Sequence, residues 1–402
     1  MAALSLRKKI AFSLVVLAAL WFLTEAVCLA GLWALEKYKG IEYQPRLAWT
    51  LSAKNRRLLK QYLASRDGYM RMDADLGWTV GPSAARRGYR SNRAGIRADR
   101  DYTPAPPPGA VRLAAFGDSF THSSDVANPF TWTRALEELD PHLEVLNFGV
   151  PAYDPGQAFL RYQRDGVPFH PHIVLIGFMS ENLYRTVNTF RPFYYPQSGV
   201  PLAKPRFALR GGRLLLIENP LRNRQAYRDL LRTPESVLPR LGRDDYFYQR
   251  SRPLPFDILP SIRFASLTAG RFDQEVIHNG VYNRDSEPYQ VTLAILDAFA
   301  HRVLADGAQP VILLFPTHED LVARRDGKPL VYQPLRDDLE QKGYHTIDMA
   351  EGFARHDPEG EVLHKRFVHY PRPGNRIVAL TLYEDLRAEG LITPGDLLAE
   401  TR

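Results

Sequence analysis

Four short stretches carry side chains that could together perform acyl transfer, and the first three follow apolar runs. In "FGDSFT" (116–121) the run ends at Gly117 and the Ser119 hydroxyl sits in the turn beyond it. In "NFGVPAY" (147–153) Gly149 can bring a backbone N–H close to a substrate oxygen. In "GFMSEN" (177–182) Asn182 offers a side-chain amide, and in "HYPRPGNRIVA" (369–379) His369 stands just before a helical pattern. A hydroxyl with an imidazole in reach makes a nucleophile with its general base, and amide donors stabilise the oxyanion that follows attack. Taken singly, each residue has an ordinary use. Asp118 and Thr121 read as caps of a helix opening after Ser119, the glycine and asparagine as turn residues, and the histidine as a surface group.

The elements that must hold these groups follow from the apolar pattern. Short buried runs at 111–117, 143–150, 172–178, 309–315 and 344–349 alternate with amphipathic segments at 132–139, 156–166, 288–307, 334–343 and 375–390. That alternation predicts an α/β fold, a three-layer α/β/α domain with a mainly parallel five-stranded sheet. Such sheets bind ligands at the carboxyl ends of their strands, where the first three motifs fall.

Upstream, Arg7, Lys8 and Lys9 precede an apolar run from Ile10 to Leu35 in which Glu25 is the only charge. At ~1.5 Å per residue it spans about 39 Å, enough to cross a ~30 Å hydrocarbon core. The expected organisation is an anchor at 1–35, a juxtamembrane helix and linker at 36–110 that includes the stiff "PAPPPG" run, and a catalytic domain at 111–402. The basic flank predicts a single-pass protein of the inner (cytoplasmic) membrane with that domain on the extracytoplasmic, periplasmic side. A cleaved signal peptide is the rival reading of the same run.

An insertion at 185–285 interrupts the alternation. Between 185 and 271 it holds 15 Arg and one Lys against six acidic residues, which outweighs the net charge of +7 of the whole chain. It is expected either as a solvated surface or as a contact face for anionic glycan or lipid headgroups. The single cysteine, Cys28, excludes an intrachain disulfide framework and a cysteine-based zinc cluster. "HPH" (170–172) has no third ligand nearby, "HED" (318–320) follows the fourth run and could line the site, both are read as structural or surface features, and no phosphate-binding glycine loop is present. No metal, no organic cofactor and no nucleic-acid partner is therefore expected.

The four motifs in this order resemble the SGNH, or GDSL, hydrolase superfamily, and "SNRAGIRADRDY" (91–102) resembles the lead-in of its membrane-anchored bacterial members. The resemblance covers roughly 111–185 and 309–390. It implies Ser119 and His369 as catalytic pair, the Ser119 amide, Gly149 and Asn182 as oxyanion hole, and Gly374 as the glycine five residues beyond the histidine. It also implies an esterase or O-acyl transfer enzyme on an acylated, cell-surface carbohydrate or lipid substrate. Two departures stand out. Asn182 lacks the usual following Asp, and Arg366 occupies the place, three before His369, where the family carries the acid. Arg cannot accept the imidazole N–H. A backbone carbonyl could orient His369, or Asp357, Glu359 or Glu361 could fold back onto it; otherwise the fold would serve as a non-catalytic module binding an anionic glycan or membrane partner through its Arg-rich insertion. His364 is the lesser candidate for the base.

Overall fold

The computed structural model describes residues 5–39, 50–65, 68–250, 256, 258–268, 275–364 and 366–392. Parts of the expected linker (36–110), of the insertion (185–285) and of the carboxyl end fall outside these.

Five parallel strands form the central sheet: β1 (Val111–Phe116), β2 (Leu143–Asn147), β3 (Ile173–Met179), β4 (Gln309–Phe315) and β5 (His345–Asp348). Their order is β5-β4-β3-β1-β2. Nearly every residue of β1 to β4 is buried, as continuous Val/Ile/Leu runs require when helices cover both faces. One face carries α2 (Trp132–Leu139), α6 (Met349–His356) and α7 (Arg372–Ala388). The other carries α3 (Pro155–Arg161), α4 (Glu287–Ala305) and α5 (Gln333–Gln341). The chain moves outward in opposite directions from β1 and β3. Their carboxyl ends therefore flank the switch point of the sheet, where a cleft opens.

The helix expected directly after Ser119 is absent. Residues 118–126 form successive turns, tied by His122 N–H to the Asp118 carbonyl (2.9 Å) and Ser124 N–H to the Ser119 carbonyl (2.9 Å), and the next α-helix begins only at Trp132. The stretch after the juxtamembrane helix (Ala53–Ala64) is not a plain linker either. It folds into two small hairpins, Met70–Asp73 with Gly77–Val80 and Ala85–Arg86 with Tyr89–Arg90, and Trp78 and Ile96 join the core. The loop expected as a stiff spacer is pinned to the domain, because the buried Arg112 guanidinium donates to the carbonyls of Thr103, Pro104 and Ala105.

At the amino end, α1 (Leu6–Ala34) buries none of its residues, and it is the one helix among the described residues long and apolar enough to cross a membrane. In the insertion the "RFALRGGRLLLI" stretch makes a hairpin, Arg206–Arg210 with Arg213–Ile217. Three of the insertion's arginines face inward, while most of the others described are exposed. Arg185, Arg191 and Arg206 are buried, and Arg206 joins the Val187 and Asp244 carbonyls to Glu287.

Candidate active site

Ser119 follows Gly117, whose φ of +154° and whose contact with Thr121 exclude a side chain: a Cβ there would lie 2.2 Å from the Thr121 Oγ1. Thr121 is thus a packing residue, with no hydrogen-bond partner for its hydroxyl, and not the expected cap. Asp118 clamps the turn. Its Oδ1 accepts from Phe120 N–H at 2.8 Å, and its Oδ2 accepts from Asn182 Nδ2 and Arg185 Nη1, each at 3.0 Å. The Ser119 hydroxyl and amide have no hydrogen-bond partner among the described residues, and the residue is 7% exposed.

Asn182 opens the short helix after β3. Its Oδ1 accepts from Met179 N–H at 3.0 Å, which turns its Nδ2 toward Asp118 and leaves a second amide hydrogen unengaged. Arg185 also donates to the Tyr153 carbonyl at 3.3 Å, so one guanidinium draws the turns after β1, β2 and β3 together. Its other nitrogen holds Glu181 at 2.9 Å. Burial pushes the Glu181 carboxyl up, but the charges of Arg185 and Arg191 outweigh that and hold it at about 2.

Gly149 does not offer a free amide. Its N–H donates to the Asn147 side chain at 3.0 Å, and a Cβ would lie 2.3 Å from the His122 nitrogen. The residue lets the β2 turn approach the Ser119 turn, with Val150 N–H on the Gly117 carbonyl at 3.0 Å. The unpartnered amide of this turn belongs to Ala152, which holds φ at +70°.

His369 lies in the loop before α7. Tyr370 fixes that loop to the end of β4 by donating to the Pro316 carbonyl at 2.6 Å, and Asn375 ties the Tyr370 carbonyl to the start of α2. The imidazole packs edge-on against Phe120, the neighbour of Ser119, with centroids 5.5 Å apart. Its Nδ1 lies 2.8 Å from the Asp125 carboxylate, and its Nε2 has no partner among the described residues. Because that carboxylate accepts only, Nδ1 carries the hydrogen and Nε2 its lone pair. The hydrogen bond from His369 lowers the Asp125 pKa below the usual carboxylate value.

The acid beside His369 is therefore neither Asp357 nor Glu361. Asp357 accepts from the amides of Glu361 and Val362 and closes a turn there, while Glu359 and Glu361 are exposed. Arg366 swings out to Glu319 at 2.7 Å, and His364 is a surface residue of that turn. Asp125 stands on a strained loop, with φ of +57° at Ser123 and +74° at Asp125. That loop is held by the buried Arg97, which donates to the carbonyls of His122, Ser123 and Val126 and to the Asn128 side chain. Tyr89 accepts the Asp125 N–H at 2.9 Å. His122, fully buried, donates from Nε2 to Tyr69 at 2.7 Å and accepts at Nδ1 from Arg97; burial and the Arg97 charge hold its pKa well below the ordinary histidine value.

No protein-family model matches this sequence, and no curated protein does. Solved structures are similar to it in part. A member of the lipolytic protein G-D-S-L family from Veillonella parvula is 12% identical, with a TM-score of 0.31 over 68% of this chain and 97% of its own. A GDSL-like lipase from Bacteroides thetaiotaomicron is 11% identical, with a TM-score of 0.33 over 71% and 91%. A catalytic mutant of an acetylxylan esterase from Geobacillus stearothermophilus is 11% identical, with a TM-score of 0.35 over 69% and 95%. At these identities the functional reading rests on this chain's own side chains.

Proposed function

We propose that the chain is a serine ester hydrolase or O-acyl transfer enzyme that uses Ser119 as nucleophile, His369 as general base and Asp125 as the acid orienting it. The observation that carries this reading is the 2.8 Å contact of Asp125 with His369 Nδ1, with the His369 ring packed on Phe120, the residue next to Ser119. It supplies the carboxylate that Arg366 seemed to deny. As Ser119 Oγ bonds to the ester carbonyl carbon, its proton passes to His369 Nε2. The carbonyl π pair becomes the oxyanion. Collapse of that intermediate breaks the bond to the alcohol, which leaves with the proton from His369. Water, or an acceptor hydroxyl in a transferase, then gives its proton to His369 and attacks the acyl-enzyme, releasing acid or new ester and restoring Ser119. The Ser119 amide, the free Asn182 hydrogen and the Ala152 amide serve as oxyanion donors, Ala152 taking the part first expected of Gly149.

In this reading α1 anchors the domain in a membrane on its extracytoplasmic side, and the substrate is an O-acylated carbohydrate. Hydrolysis of p-nitrophenyl acetate by the full chain in detergent tests the chemistry. Turnover should fall at least ~10³-fold in both Ser119→Ala and His369→Ala. Wild-type activity equal to that of the two folded variants would overturn the reading.

A further inference from the structure

Glu25 is the one charge in the apolar stretch of α1, and the insertion supplies its partner. Ser261, in the helix Pro260–Thr268, donates its backbone N–H to Glu25 Oε2 at 2.9 Å and its hydroxyl to Oε1 at 2.5 Å. The contact continues along both helices. A Cβ on Gly31 would come within 2.7 Å of the Phe264 ring. Going from Glu25 to Gly31 and from Ser261 to Phe264, the two helices advance in the same direction. Phe256, Ile258, Leu259 and Pro260, which come before Ser261, therefore lie at the depth of Glu25 or beyond it, toward the middle of α1. Phe256 and Ile258 are there, 76% and 79% exposed, in a turn closed by Leu259 N–H on the Phe256 carbonyl.

Depth follows from helix geometry. With Lys9 at one face of the hydrocarbon core, Glu25 is ~24 Å along the helix, in the far leaflet of a ~30 Å core. A carboxylate there is costly unless it is hydrogen-bonded, and two donors at a helix start meet that need. Phe256 and Ile258, which would be unfavourable in water, then point into acyl chains.

We propose that the insertion dips into the bilayer. Phe256, Ile258, Leu259 and the helix Pro260–Thr268 form a re-entrant element docked on α1 in the leaflet opposite Arg7–Lys9, with Phe256 and Ile258 as its lipid-facing tip and Ser261 as the partner of Glu25. The inference rests on reading α1 as a membrane anchor, and its test separates the two.

The full chain, with Cys28→Ser, carries a single environment-sensitive NBD label at Ile258→Cys or, as control, at Glu340→Cys. It is reconstituted in phosphatidylethanolamine–phosphatidylglycerol vesicles, with and without doxyl-labelled lipid. Flotation with the vesicles reports the anchor. The expected result is blue-shifted, doxyl-quenched emission at position 258 and neither at 340. The Gly31→Cys/Phe264→Cys pair should also form a disulfide in the same vesicles, with Glu25→Cys/Ser261→Cys as a second pair. Flotation with an unquenched label at 258 leaves the anchor standing and overturns the re-entrant element, whether or not the disulfides form. Quenching without either disulfide overturns the docking on α1. Failure to float overturns the anchor, and the re-entrant element with it.

Discussion

Asp125 and His369 are 244 residues apart in sequence, yet one hydrogen bond between them sets which imidazole nitrogen is basic. Replacing Asp125 with Asn keeps the shape and removes the charge. In buried triads that change costs on the order of 10⁴ in turnover. The Asp125 side chain is 60% exposed, so the expected loss is smaller, about 10²–10³ in kcat with little change in KM. Asp357→Asn and Glu361→Gln should leave kcat unchanged, and a loss with either would contradict the assignment of the acid. This residue was illegible in the sequence because the expected carboxylate has a fixed offset from the histidine. The observed one depends on two left-handed residues in a loop, which no periodicity announces. The placement of Ser119, Asn182 and His369 was legible because each follows a buried run or precedes a helix, and those positions fix which edge of the sheet a side chain reaches. Gly149 was misassigned for a related reason. A glycine in a turn signals either a free amide or a close approach, and only the 2.3 Å approach to His122 separates the two.

Among the elements, the turns after β1 and β2 are packed backbone to backbone, and this makes opposite predictions for two small residues. Gly149→Ala should destabilise the fold by several kcal/mol, since the methyl group meets main chain that cannot move aside. Ala152→Gly relieves a left-handed alanine and should be neutral or stabilise by up to ~1 kcal/mol. Urea denaturation of the two variants checks both. The Arg97 loop clamp gives a third case. Arg97→Ala leaves the carbonyls of His122, Ser123 and Val126 without their donor and should cost about 3 kcal/mol, whereas loss of a solvated arginine would cost almost nothing. The central strands and most of the helices around them were readable from apolar runs and 3.6-residue spacing. The hairpins at 70–90 were not, because their strands are two to four residues long and carry no such pattern.

For the whole molecule, charge is concentrated inside as well as outside. Glu181 sits at about 2 in the fold against an ordinary value of 4.5. Its contribution to stability is therefore complete above pH 4.5 and disappears as pH falls toward 2. The difference in melting temperature between the protein and Glu181→Gln should narrow over that window and stay constant above it. The arginine-rich insertion, read in sequence as one basic surface, turns out to direct several of its charges inward, which composition alone does not reveal. A chain cut after Leu35 uncovers the face of helix Pro260–Thr268 that α1 occupies, including Phe264. Such a chain should self-associate on size-exclusion chromatography. Replacing Phe256, Ile258 and Phe264 with polar residues should restore a monomer.

The order in which the site's parts occur along the chain has a consequence for synthesis. The proposed nucleophile and acid lie six residues apart, on the turn that follows β1, and leave the ribosome early. The base arrives with the last strand already made and only α7 and the carboxyl end still to come. Throughout most of translation the growing polypeptide thus carries a serine with no imidazole to activate it. On the proposed mechanism, esterase activity should switch on only at the final stage of assembly, and a chain truncated anywhere before His369 should be chemically silent even where its sheet has formed.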